Sequence, residues 1–332
     1  MSKDDNNYDE NTDGFDHDEK DDEDYLKQYV SGKELGEDND RSKEPPNEPP
    51  VNNNRRTGNS GDFEYETVPM EELPCGIFYP DGMRIMVRAA KVAEIQAYSV
   101  VDDKNIYDIT EKMNDMLKSC VRVVLPTGKN GSYFDVKDAD RVYLIFYIRE
   151  RTFQSGNNLK LDCECDSCGH EYGVNMERRK FITGDMPDDL KQYFDSATKM
   201  FHFDLNNADS ISLGLPTIGI QKHFYEYIKE TVKDEKSPNM AYLKTDPFLI
   251  PNRSKITPEG IKKRVMEFKK MDPNTYQFIN SAIGKIDDAF GIKEVISKCP
   301  ECNEEVHSKM RFPGGASTLF VIPDAFDQFI KK

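Results

Sequence analysis

Apolar residues are sparse up to Asp62 and then recur at regular spacings along the rest of the chain. From Cys75 to Val87, two short apolar runs flank Pro80-Asp81-Gly82, a turn sequence in which Pro presets φ and Gly accepts the left-handed region. A β-hairpin or a pair of extended strands is predicted there. Ala89 to Val100 is helical by propensity. Ile106, Ile109, Met113, Met116, Cys120 and Val123 then fall at steps of three and four residues, so one stripe of a helix is apolar until the chain stops before Pro126. Thr127 to Gly131 reads as a loop.

Val142 to Ile148 is an unbroken apolar run, which periodicity alone does not assign. Charge placement decides for a buried helix from Asp138 to Arg151, because Asp135, Asp138 and Asp140 precede it and Arg149 and Arg151 follow, as the helix dipole favours. Leu159 to Val174 reads as strand, tight turn and strand. Glu177 to Phe290 is mostly helical by pattern, with two strand-like pieces, Met200 to Leu205 and Ser210 to Leu215. A helix runs from Ile218 to Val232 with Ile218, Tyr225, Ile228 and Val232 on one face. Thr257-Pro258 and Asp272-Pro273 each pair an N-cap with a first-turn Pro. Tyr276, Ile279, Ile283, Ile286 and Phe290 complete a packed helix that ends at Gly291.

Charge changes this picture at one end only. The chain of 332 residues has a net charge of −16, and Met1 to Ser60 holds 18 Asp and Glu against 8 Lys and Arg, so −10 sits there and −6 on the remainder. With the acidic run Asp21 to Asp24, the Pro pairs near residue 50 and Asn52 to Asn54, that segment cannot bury enough apolar surface to offset chain entropy. It is expected to be disordered through residue 62. Tyr25, Leu26, Tyr29 and Val30 interrupt it at helical spacing, as a chance cluster or a docking element. No window reaches the 18 apolar residues of a membrane span, and the acidic start is unlike a signal peptide, so a soluble, cytoplasmic product is expected.

The specific chemistry lies in the cysteines. Five of the seven form two clusters, Cys163-Glu-Cys165-Asp-Ser-Cys168-Gly-His and Cys299-Pro-Glu-Cys302-Asn. A CxxC turn puts two thiolates on one side of a knuckle, and two knuckles complete the four-sulfur shell that Zn²⁺ prefers. Gly169 and Asn303 follow the second Cys of each pair, where φ > 0 is needed and Gly or Asn adopts it most easily. Strands flank both knuckles, at Leu159 to Cys163 and Tyr172 to Met176, then Val295 to Lys298 and Val306 to Phe312. The spacing is unusual, with 130 residues between Cys168 and Cys299. Closure cost grows only logarithmically with loop length, so a folded insertion is tolerable.

The expected site is structural Zn²⁺ on Cys165, Cys168, Cys299 and Cys302. The alternatives are separate partners for each CxxC, or a three-thiolate site of Cys163, Cys165 and Cys168. Cys163 can compete as a ligand from the same strand face. His170 and His307 read as surface residues, and Cys75 and Cys120 as packed thiols. A closed four-Cys site leaves no open coordination position, which weighs against metal-dependent catalysis. GxxxxGK, GxGxxG, HExxH and GxSxG are all absent, Ser196-Ala-Thr-Lys199 matches SxxK by spacing alone, and Gly314-Gly315 reads as a chain reversal.

The fold class predicted is α+β: a mostly helical body with a discontinuous four-Cys zinc ribbon and a disordered acidic N-terminal tail. Its parts are the tail (1–62), an N-terminal strand pair and helices (63–157), ribbon halves (158–176 and 292–313), an inserted helical module (177–291) and a C-terminal tail segment (314–332).

The order of elements is Leu73-Pro-Cys-Gly-Ile-Phe-Tyr-Pro, Ile85-Met-Val-Arg-Ala-Ala, Asp140-Arg-Val-Tyr-Leu-Ile-Phe-Tyr-Ile-Arg149, the knuckle Cys165-Asp-Ser-Cys168-Gly-His, and Cys299-Pro-Glu-Cys302 with an aromatic tail. It resembles the baseplate hub subunit, or hub assembly protein, family of T-even-like contractile-tailed bacteriophages, over residues 63 to 330. The resemblance implies a late viral protein without catalytic residues that binds other baseplate hub and tail proteins. It would act in the host cytoplasm during assembly or stay in the virion tail baseplate, with the family's paired Cys motifs mapping onto Cys165, Cys168, Cys299 and Cys302. The acidic tail departs from the family pattern. The competing reading is a zinc-ribbon nucleic-acid or transcription-related factor, with Lys262, Lys263, Arg264, Lys269 and Lys270 as its contact surface. A net −6 opposes nucleic acid as a partner. A small-molecule substrate is not expected.

Overall fold

The first arm of the expected hairpin is not a strand. In a computed structural model of the chain, Met70–Glu72 and Gly76–Phe78 are short 3-10 turns. The Cys75 N–H turns inward to the Asp140 carboxylate (2.9 Å) instead of joining a ladder. Gly76 sits so close to the Met70 carbonyl that a Cβ there would stand 1.9 Å from the oxygen, which excludes a side chain. The structure describes residues 64–153, 159–176, 186–205, 210–231, 245–249, 257–290, 294–309, 312 and 315–321. The expected disordered tail through residue 62, with its Tyr25 to Val30 cluster, lies outside them. The chain divides into two units, Met1–Arg56 and Thr57–Lys332.

Within the second unit, strands β1 (Glu66–Thr67), β2 (Arg84–Val87) and β3 (Val121–Val124) form an antiparallel sheet with β2 central. Helices α1 (Val92–Ser99) and α2 (Ile106–Cys120) connect β2 to β3. Asn105 caps α2 by accepting the N–H groups of Tyr107 and Asp108. The apolar stripe was expected to run on through Val123, but α2 ends at Cys120. Val121-Arg-Val-Val alternates inward and outward and pairs with Arg84–Val87, because β-branched residues pack better on a pleated surface than in a helix turn. Helix α3 (Arg141–Thr152) follows a 3-10 turn at Asp138–Asp140 and buries every residue from Tyr143 to Arg149, as its flanking charges predicted.

Two antiparallel hairpins follow far apart in sequence, β4 (Leu159–Glu164) with β5 (Glu171–Met176) and β9 (Glu294–Lys298) with β10 (Glu305–Lys309). The described chain between them mixes helix and sheet. A short helix α4 (Asp188–Lys191) leads to the antiparallel sheet β6 (Phe194–Asp195), β7 (Met200–Asp204) and β8 (Ser210–Leu213). Helices α5 (Ile218–Thr231), α6 (Pro258–Lys269) and α7 (Pro273–Ala289) come after it. Both predicted caps form: Thr257 Oγ1 accepts the Gly260 N–H at 3.1 Å and Asp272 accepts the Thr275 N–H at 3.0 Å. Ile279, Ile283 and Ile286 are buried on one face of α7, and Phe290, the extended residue directly after it, is buried too. Val232 and Gly291 lie outside the described residues.

This intervening chain shares its core with the N-terminal elements. Phe78 packs edge-on against Phe290 (4.7 Å between centroids) and Phe194 (5.2 Å). The C-terminal segment is packed as far as it is described. Gly315, at φ 86°, reverses the chain into a 3-10 turn, Ala316–Phe320, that buries Leu319 and Phe320. Phe320 meets Tyr98 of α1, and the Arg149 guanidinium donates to the Leu319 carbonyl at 2.5 Å. Among the described residues, no helix is long and apolar enough to cross a membrane.

Candidate metal centre

The two hairpins carry equivalent knuckles. The strands of the first close at Glu164 and Glu171, and those of the second at Lys298 and Glu305. In the first, the Cys165 N–H donates to the His170 carbonyl (3.0 Å) and the Gly169 N–H returns to the Cys165 carbonyl (2.7 Å). The second repeats both bonds, Cys299 to Glu304 and Asn303 to Cys299, each at 2.9 Å. Gly169 and Asn303 take φ values of 69° and 61°, at the two positions where the sequence places Gly and Asn.

These turns bring Cys165, Cys168, Cys299 and Cys302 together, their sulfurs all within 4.8 Å of one another. Across the hairpins, Cys165 Sγ lies 3.5 Å from Cys302 Sγ and Cys168 Sγ 3.6 Å from Cys299 Sγ. These distances exceed a disulfide, and all four are free thiols. They approach the edge of about 3.8 Å that a sulfur tetrahedron has around a metal bonded at about 2.3 Å, so the residues present fit a tetrahedral thiolate-bound ion.

Protonation points the same way. N–H groups of Cys168 and Ser167 bring the Cys165 thiol down to about 7. Against the favourable N–H of His170, desolvation and the neighbouring thiols push Cys168 up to about 12. Cys302 is raised likewise against the N–H of Glu304. A cation held among these sulfurs would favour their thiolate forms.

Cys163 lies one pair back in the ladder, opposite Tyr172, and is buried in the main core outside the sulfur cluster. His170 stacks on Tyr172, and His307 is exposed beside Glu305; neither joins the thiols. Burial pushes the Cys120 thiol up to about 12 and that of Cys75 well above its ordinary value, the opposite of an activated nucleophile.

Sequence reasoning missed a second polar centre. Asp140 is fully buried and accepts from the Cys75 N–H (2.9 Å) and the Tyr79 hydroxyl (2.7 Å), which in turn accepts the Lys137 N–H (2.8 Å). Lys137, also buried, donates from Nζ to the Leu215 carbonyl at 2.9 Å. Burial lifts the Asp140 carboxyl to about 6 and lowers the Lys137 ammonium to about 8. This network ties the first 3-10 turns to the start of α3. Its partners lie some 60 residues apart, and no local spacing signals it. No family model, curated protein or solved structure matches the chain.

Proposed function

We propose that the chain is a non-enzymatic assembly protein of a phage tail baseplate hub, acting by protein–protein binding and held together by structural Zn²⁺ in a discontinuous ribbon. The observation that carries the structural part is the closed set of four sulfurs, two from each hairpin, within 4.8 Å. Cys165, Cys168, Cys299 and Cys302 would hold the ion. Zinc there supplies charge and cross-linking, with no coordination position left for a substrate. The raised thiols of Cys75 and Cys120 support the non-enzymatic reading.

The hub assignment rests on the resemblance in element order. Zinc chemistry is supported independently by the sulfur geometry. Lys262, Lys263 and Lys269 of α6, and Lys270 directly after it, are exposed while Ile261 of the helix is buried, the arrangement of a solvated face. Peptide mass fingerprinting of purified phage tails and tail assembly intermediates tests the assignment. The protein is expected in at least one of the two fractions, and absence from both would overturn the reading.

A further inference from the structure

Two sulfurs of the thiol centre are exposed, Cys168 on the first hairpin and Cys302 on the second, and beside each stands a buried sulfur of the other hairpin. Cys302 Sγ lies 3.5 Å from the buried Cys165 Sγ, and Cys168 Sγ 3.6 Å from the buried Cys299 Sγ. The first knuckle is open next to Cys168, since a Cβ built on Gly169 would meet nothing within 4 Å. Reactive thiols are those that reach solvent and carry thiolate charge, the form in which zinc holds them. A small oxidant therefore meets Cys168 and Cys302 first, with a second sulfur in contact with each.

The hairpins also meet outside the sulfurs. Tyr172 of the first bonds Ser297 of the second, and Leu161, Cys163 and Val295 seat both in the main core. These contacts keep the sulfur pairs facing as oxidation removes ligands from an ion. A disulfide needs about 2.05 Å between sulfurs, so each pair closes by roughly 1.5 Å, a shift on the scale of a side-chain rotation. Cys165 and Cys302 are 137 residues apart in sequence, and Cys168 and Cys299 are 131 apart. Links between them join distant parts of the chain. A disulfide inside either CxxC would close one turn and leave the hairpins unlinked.

We propose that the thiol centre is a redox-sensitive cross-link: a peroxide converts it into two disulfides across the hairpins, Cys165 with Cys302 and Cys168 with Cys299, and releases the metal held there. The exposed thiolate of a pair attacks one oxygen of hydrogen peroxide. The O–O bond breaks, hydroxide leaves and the sulfur becomes a sulfenic acid. The facing thiolate then attacks that sulfur, the S–S bond forms and a second hydroxide leaves. Each pair gives two electrons to one peroxide. Disulfide sulfurs carry no thiolate charge, so zinc loses its ligands while the hairpins stay joined. The proposal rests on the zinc reading for the identity of the metal.

The test adds hydrogen peroxide stepwise to the full chain loaded with zinc, reads released zinc with a chromogenic chelator, and digests the alkylated protein with trypsin without reductant. Cleavage after Lys160 and Arg178, and after Lys298 and Lys309, puts Cys165 and Cys168 on one peptide and Cys299 and Cys302 on another. Cross-hairpin disulfides join the two peptides into one species, whereas disulfides within each CxxC leave them separate. The joined species should rise in step with zinc release, from a chain that runs as a monomer on a non-reducing gel. Its fragments should pair Cys165 with Cys302, and dithiothreitol should restore separate peptides and zinc uptake. Cys163 lies on the first peptide too, so Cys163→Ser should give the same joined species. Separate peptides, a link between two chains, pairing of Cys165 with Cys299, or loss of the joined species in Cys163→Ser would overturn the proposal. Joined peptides from a chain that takes up no zinc would defeat the zinc reading alone and leave the sulfur pairing standing.

Discussion

The hydroxyl of Tyr172, on the first hairpin, lies 2.9 Å from Ser297 Oγ on the second. Beyond this bond, Cys165, Cys299 and Val306 form a small apolar cluster with Tyr172 packed against it, while Leu161, Cys163 and Val295 anchor the hairpins in the main core. A zinc ion on the four sulfurs would add a cross-link where the apolar contact is small. Freshly prepared protein is expected to contain about one zinc per chain, because structural zinc can contribute on the order of 10 kcal/mol to folding. Chelation should make the four thiols titratable and abolish cooperative unfolding of the body. Elemental analysis that finds no metal, with every thiol reactive, would refute the site.

Arg88 and Glu94 form a two-pronged ion pair at 2.5 and 3.0 Å, and Glu94 also accepts the Lys91 N–H at the start of α1. Working against burial, these bonds hold the Glu94 carboxyl at about 2, below its unfolded range. A depressed carboxyl contributes stability that is present above the unfolded value near 4 and is lost as pH falls toward 2. Glu94→Gln should therefore cost about 2 kcal/mol at pH 7. The difference from the parent should shrink steadily below pH 4, measured by urea unfolding at each pH. A pH-independent difference would assign the effect to packing instead.

The local signals in the chain were readable because their causes are local. The CxxC spacing with Gly169 and Asn303 and the caps Thr257 and Asp272 each act within a few residues. What the sequence concealed depended on distant partners. Val121–Val124 continues the α2 stripe by spacing and leaves the helix only because Arg84–Val87 is there to pair with it. Asp140 looked like a helix-dipole charge, whereas its burial depends on Cys75 and Tyr79. The four sulfurs could be proposed as one site, yet only the structure brings the second knuckle against the first.

Tyr79 occupies the middle of the buried network, donating to Asp140 and accepting from the Lys137 N–H. Tyr79→Phe keeps the ring and deletes only the hydroxyl, leaving a carboxylate oxygen and a backbone N–H buried without their partner. The expected cost is about 3 kcal/mol, from two unmet buried groups. Denaturant unfolding should show it as a lower midpoint at unchanged slope. A cost below about 0.5 kcal/mol, the range of ordinary surface changes, would show that the network relaxes around the loss.

Asp246 presents the opposite case, a group whose removal should help. It is 1% exposed, neither carboxylate oxygen has a hydrogen-bond partner among the described residues, and burial lifts its carboxyl to about 7. A raised carboxyl binds its proton more tightly in the folded chain than in the unfolded one. Its effect is therefore absent below the unfolded value near 4, and stability is lost as pH rises from there through 7. Asp246→Asn keeps the shape and cannot ionise. The variant should match the parent near pH 4 and exceed it at pH 8 by on the order of 2 kcal/mol, the cost of charging an unpaired buried group. Thermal melts across that range should show the two curves diverging between pH 5 and pH 7. A variant less stable than the parent at pH 8 would mean that the carboxylate is satisfied in the folded protein.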